Sequence, residues 1–184
     1  DGKKYQERNY LFDEREGDLI LYGEDGSVGC VLNYHLGVLL SYTYLGKDGN
    51  YVPSIPLVNE TGKVVAYYKN GKKSIEFELL GGEYQGTFTS YYTTGKVHRQ
   101  FTYEKGYQVG PGKTYWSNGQ IAEDENFSKG LQDGAYTEYY ANGKKMYEST
   151  YVQGVLHGPV KFYDKTGKVT LAGEYYYGNF YEKK

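Results

Sequence analysis

Between residues 75 and 175 the chain alternates apolar and polar positions in short runs. Ile75, Phe77 and Leu79 share one parity and Glu76 and Glu78 the other. The pattern returns with Val97, Phe101 and Tyr103 against His98, Gln100 and Thr102, with Ile121 and Phe127 against Asp124 and Asn126, with Tyr147 and Tyr151 against Glu148 and Thr150, and in Val169, Leu171 and Tyr175. A period of two places successive side chains on opposite faces, so each run predicts a half-buried β-strand rather than a helix. Between the runs stand KNGK (69–72), TTGK (93–96), SNGQ (117–120), ANGK (141–144) and KTGK (165–168). Asn-Gly and Thr-Gly between aromatic runs predict hairpin turns, because such a turn needs a residue at positive φ.

The turns keep a fixed distance. Gly71, Gly95, Gly119, Gly143 and Gly167 are spaced 24 residues apart. Tyr67, Tyr91, Tyr115, Tyr139 and Tyr163 each precede one of them by four. A second set of glycines follows in phase, as GEYQG (82–86), GYQVG (106–110), GLQDG (130–134) and GVLHG (154–158). These read as the connection from one hairpin to the next. The expected fold is therefore all-β: an elongated single-layer antiparallel β-meander of repeated hairpins, about 24 residues per repeat, with roughly fifteen strands. Such a layer has little to bury it. The 25 tyrosines suit it, since their rings stack across strands while their hydroxyls stay wet.

Residues 1–61 follow the spacing loosely. Gly26 and Gly49 keep approximate phase, but Pro53 and Pro56 interrupt a strand and VNETG (58–62) replaces the usual connection. Stepping back from Gly26 lands on Gly2, and DGKKY (1–5) then matches NGKKM (142–146). The expectation is one array, with degenerate repeats over 1–61 continuous with regular ones over 62–184, and at least half a repeat further upstream.

Composition narrows the function. A formal net charge of −2 with 21 dispersed Lys and Arg gives no drive toward nucleic acid. No apolar run is long enough for a transmembrane segment. Cys30 is alone, which reads as a small strand residue. His35, His98 and His157 fall on separate repeats, without metal-ligand spacing. In EDE (123–125), Glu123 and Glu125 share a strand face, but a flat sheet offers no obvious cleft for a catalytic carboxylate pair. No cofactor, metal or catalytic residue is expected, so the reading is not an enzyme. The chain starts at Asp1 rather than Met. That fits a trimmed leader as well as a truncation, and favours export or the cell envelope over the cytoplasm.

The aromatic residues before the turns are the candidate contact surface: Tyr91, Tyr92, Tyr115, Trp116, Tyr139 and Tyr140. Their plainer role is to stabilise the sheet. Trp116 breaks the tyrosine pattern and is the first choice for a contact centre, because Trp and Tyr are favoured contact residues.

The pattern YYxNGK…Y…GxxxG resembles the MORN-repeat variant of bacterial proteins often labelled YwqK-type antitoxins. The resemblance covers 62–184 well and 1–61 loosely. It implies a hairpin meander that contacts proteins or lipids, and an antitoxin-like protein that neutralises a partner by binding it. The expected function is a non-enzymatic scaffold binding a protein partner through one face or edge of the sheet. The alternative is a carbohydrate or cell-wall binding module using the aromatic row. Lipid or glycan contact stays open.

Overall fold

The computed structural model describes residues 4–182. The expected turn at Gly2 lies outside the described residues. The fold is all-β, single-layer and antiparallel, and no helix occurs among the described residues. The chain divides into two compact units, residues 1–97 and 98–184.

In the first unit the strands are β1 (Gln6–Glu7), β2 (Tyr10–Leu11), β3 (Glu14–Arg15), β4 (Gly17–Tyr22), β5 (Val28–His35), β6 (Val38–Thr43), β7 (Ile55–Pro56), β8 (Gly62–Tyr67), β9 (Lys73–Leu80) and β10 (Glu83–Tyr91). They pair in the orders β1-β4-β5-β6-β7 and β8-β9-β10, with β2–β3 a separate hairpin. Their inward residues meet in one buried cluster that includes Cys30, Leu32, Val64, Ile75, Phe77 and Leu79. Phe77 is its largest fully buried side chain and packs against the rings of Tyr84 and Phe88.

In the second unit the strands are β11 (Val97–Glu104), β12 (Tyr107–Gln108), β13 (Gly110–Tyr115), β14 (Ile121–Ser128), β15 (Leu131–Gln132), β16 (Gly134–Tyr139), β17 (Lys145–Val152), β18 (Val155–Leu156), β19 (Gly158–Tyr163), β20 (Val169–Tyr176) and β21 (Asn179–Glu182). The order β11-β13-β14-β16-β17-β19-β20-β21 is a meander. Ring contacts run along its inner face: Phe101–Phe127, Tyr136–Tyr147, Tyr136–Tyr151, Tyr147–Phe162 and Tyr175–Phe180.

The two glycine sets do different work. At the Asn-Gly turns only the glycine takes positive φ, as at Gly143 (φ 80). Gly143 N–H donates to Tyr140 O and Tyr140 N–H to Lys144 O, and the register then shifts between Glu138 and Tyr139. That is a three-residue hairpin closed by a bulge. The tighter two-residue turn, with both residues at positive φ, occurs instead at the first glycine of GxxxG: Lys105–Gly106 (φ 47 and 76), the type I′ geometry. The second glycine marks a break in the return strand. Tyr103 faces Gln108, but Gln100 faces Lys113, so the register slips where Gly110 (φ 67) stands. This break splits one strand into β12 and β13, and likewise β15 from β16 and β18 from β19, so the strands outnumber the expected fifteen. The irregular VNETG stretch makes the same tight turn without glycine at its centre, since Asn59 and Glu60 both have positive φ (50 and 52).

Candidate functional site

The aromatic row before the Asn-Gly turns ties repeat to repeat. Tyr68 Oη donates to Tyr91 O at 2.7 Å, and Tyr140 Oη donates to Tyr163 O at 2.7 Å. Trp116 occupies the same rung: its Nε1 donates to Tyr139 O at 3.0 Å. The turn asparagines add parallel rungs, with Asn70 Nδ2 on Thr93 O (2.8 Å), Asn118 Nδ2 on Ala141 O (2.8 Å) and Asn142 Nδ2 on Lys165 O (3.0 Å). Tyr91 Oη reaches back to Glu76 Oε1 at 2.5 Å, and Lys73 holds the same carboxylate. Burial first, and then Glu76, pushes the Tyr91 phenol up to about 12. Tyr163 repeats this contact with Glu148, which Lys145 also holds. Tyr92 is only 8% exposed, whereas Trp116 is 39% exposed. Tyr91, Tyr115, Tyr139 and Tyr140 are half-buried. Tyr91 and Tyr92 belong to the first unit and Tyr115, Trp116, Tyr139 and Tyr140 to the second, and the polar atoms of Tyr91, Trp116 and Tyr140 are engaged in the bonds just described.

Sequence reasoning passed over the opposite edge. The tight turns carry exposed apolar side chains in each unit: Leu11, Phe12, Leu36, Val38, Val58 and Leu80 in the first, and Tyr107, Leu131, Val152, Val155, Tyr176 and Tyr177 in the second. Phe12, at a left-handed turn position, is 89% exposed. The Asn-Gly turns are instead built mostly of Lys, Asn, Ser, Thr and Gln, with Trp116 and Val169 the exposed apolar residues beside them in the second unit. In the second unit the apolar side chains form a continuous ridge. A Cβ on Gly130 would stand 3.2 Å from the Tyr107 ring, and one on Gly154 would stand 3.5 Å from Leu131. Small residues there let each ridge side chain lie over the next turn. The turn amides are linked too, Gly130 N–H to Gln108 O at 2.9 Å and Gly154 N–H to Gln132 O at 2.8 Å. The available signal was the apolar residue flanking each Lys-Gly or Gln-Gly pair (Tyr107, Leu131, Val155).

The cysteine and the histidines are dispersed, whereas Glu123 faces Glu138 across β14 and β16. Cys30 is fully buried, and burial pushes its thiol up to about 12, which makes it a poor nucleophile. Burial, with a smaller contribution from Arg99, pulls His98 down to about 4. His35 Nδ1 lies 3.0 Å from Glu16, and His157 packs its ring against Tyr176 and Tyr177. Glu123 and Glu125 share the inner face, while Asp124 lies on the other face and pairs with Lys113 at 2.8 Å. Glu125 is buried and accepts a hydrogen bond from Gln132 Nε2 at 2.8 Å. Burial is the main cause that raises its pKa. Among the described residues no group of three or more His, Cys, Asp or Glu converges to hold a metal ion, and no helix is long and apolar enough to cross a membrane.

Residues 84–105, 108–129, 132–153 and 156–178 match the family described as the MORN repeat variant. The four copies begin 24 residues apart and lie within the stretch where the glycine spacing is regular. No curated protein matches the chain.

Proposed function

Starting from a chain whose residues 84–178 form a MORN-repeat region, we propose that it is a non-enzymatic scaffold that binds a protein partner along its tight-turn edge. The observation that carries this is the recurrence of exposed apolar side chains at the tight turns, which in the second unit outnumber the exposed Trp116 and Val169 beside the Asn-Gly turns. In the second unit Tyr107, Leu131 and Val155 recur once per repeat on that edge, an apolar contact roughly every 10 Å at two strand spacings per repeat. Contiguous exposed apolar patches on a folded chain mark interaction surfaces. Neutralisation of the partner, as in the antitoxin-labelled proteins that the repeats resemble, is one consequence such binding can have.

The test is photo-crosslinking from an unnatural residue placed at Leu131 or Val155, with Ser117 on the opposite edge as control. Adducts to one defined protein from positions 131 and 155, abolished by Tyr107→Glu, support the reading. Equal labelling from Ser117 counts against it. The exposure of Trp116 favours a second reading, glycan binding by the aromatic row. A glycan screen in which Trp116→Ala abolishes binding would support it.

A further inference from the structure

Three turns carry the dipeptide Asn-Gly, at 70–71, 118–119 and 142–143. In an unfolded chain this pair cyclises readily, because glycine has no Cβ to hinder its own amide nitrogen. The glycine nitrogen gives up its proton and attacks Cγ of the asparagine side chain. A C–N bond forms, and the side-chain nitrogen leaves as ammonia. Water then opens the cyclic imide at one carbonyl or the other, giving aspartate or isoaspartate. Water is the only co-reactant, and all three asparagines are exposed to it.

The fold ties down both reacting groups. Gly71, Gly119 and Gly143 N–H donate to Tyr68 O, Trp116 O and Tyr140 O at 2.8, 2.7 and 2.8 Å. Each asparagine Oδ1 accepts the N–H two residues on, from Lys72 (2.9 Å), Gln120 (2.9 Å) and Lys144 (3.0 Å). Each Nδ2, the group that would leave, donates to a carbonyl of the next repeat. The bond from the glycine makes asparagine the third residue of a type I turn, where ψ lies at about 0°. Ring closure needs the asparagine Cβ eclipsed with the glycine nitrogen, which is far around the Cα–C bond from that position. The turn must open before the reaction can start.

The first unit displays what one product would look like. Asp25 and Asp48 stand at the same turn position. Each caps its own turn, accepting the N–H of Ser27 and of Asn50 at 3.0 Å. A carboxylate has no hydrogen to donate to a neighbouring carbonyl, so aspartate at 70, 118 or 142 would keep the cap and lose the rung. Isoaspartate would also add a carbon to the main chain and break the turn.

We propose that Asn70, Asn118 and Asn142 are latent self-modification sites, each gated by local opening of its own turn, at which the chain irreversibly loses a bond between two repeats. The three sites lie apart from the tight-turn edge, and their chemistry needs no partner.

The test is peptide mapping by mass spectrometry of the full chain after incubation in mildly alkaline buffer made with heavy-oxygen water, folded and in guanidinium chloride. Each site should convert, with uptake of heavy oxygen, at least roughly tenfold more slowly in the folded chain, since only the opened fraction reacts. Tyr140→Phe removes the Oη bond to Tyr163 O beside Asn142. It should speed conversion of Asn142 in the folded chain by about fivefold, the scale of one lost hydrogen bond, and leave Asn70 in the first unit unchanged. Trp116→Phe, without the Nε1 bond to Tyr139 O, should do the same at Asn118. Asn142→Asp, one product installed directly, should melt at a lower temperature than wild type. Equal rates in the folded and denatured chain, or no conversion in the denatured chain, would overturn the proposal. So would equal acceleration at Asn70 and Asn142 in Tyr140→Phe, which marks global unfolding, or an unchanged melt of Asn142→Asp.

Discussion

Replacing Glu125 by Gln should make the protein more stable at neutral pH, and by an amount that depends on pH. Glu125 is 7% exposed, with Gln132 Nε2 as its hydrogen-bond donor at 2.8 Å. Burial is the largest cause and raises its pKa above the ordinary 4.5; the Gln132 hydrogen bond is the main opposing pull, followed by the push of Glu123, the pull of Arg99 and the push of Asp124. A carboxyl with a raised folded pKa binds its proton more tightly folded than unfolded, so its ionisation opposes folding. The penalty is fully present above the folded pKa and is relieved as pH falls through that value toward 4.5. Glutamine keeps the shape and an acceptor for Gln132, and carries no charge at any pH. The expected gain at pH 7.5 is about 1–2 kcal/mol, the scale of an imperfectly compensated buried charge. For a chain of this size that is roughly 2–4 °C in Tm for each kcal/mol. Paired thermal melts of wild type and Glu125→Gln at pH 7.5 and pH 4.5 measure it. A gain that shrinks at the lower pH confirms the reasoning. A variant less stable than wild type at pH 7.5, or a gain equal at both pH values, refutes it.

Other outcomes follow from the packing. Phe77→Ala removes the largest fully buried ring of the first unit's core and should cost about 3–5 kcal/mol in urea denaturation. Trp116→Phe retains a ring but loses the Nε1 donor to Tyr139 O, and should cost about 0.5–1.5 kcal/mol by the same assay. The thiol of Cys30, fully buried and with its pKa pushed up, should react with a thiol reagent only after denaturation. Stoichiometric labelling of the native chain within minutes would contradict its placement in the core.

The hairpin periodicity was legible because alternation and glycine spacing express backbone geometry directly. The positions of both turn sets followed from Gly143 and Gly154 and their equivalents. The division of labour between them did not. Asn-Gly favours two positive-φ residues in isolation, yet here Asn142 spends its side chain on Lys144 N–H and on Lys165 O of the next repeat, and its own φ stays negative. The tight turn at Asn59–Glu60 was hidden because no glycine marks it. The role of Trp116 was also out of reach. That an indole N–H replaces a tyrosine hydroxyl at one rung is visible only when the next repeat's carbonyl is in place. The proximity of Glu123 and Glu138, fifteen residues apart, depends on a register set by the bulge that the second glycine of GLQDG introduces.

Hydrogen exchange of the full chain, alone and saturated with a protein partner identified by crosslinking, tests the scaffold reading most directly. Slowed exchange concentrated at residues 104–107, 128–131 and 152–155 is the predicted result. Slowed exchange confined to the Asn-Gly edge, at 93–96, 117–120 and 141–144, would contradict it.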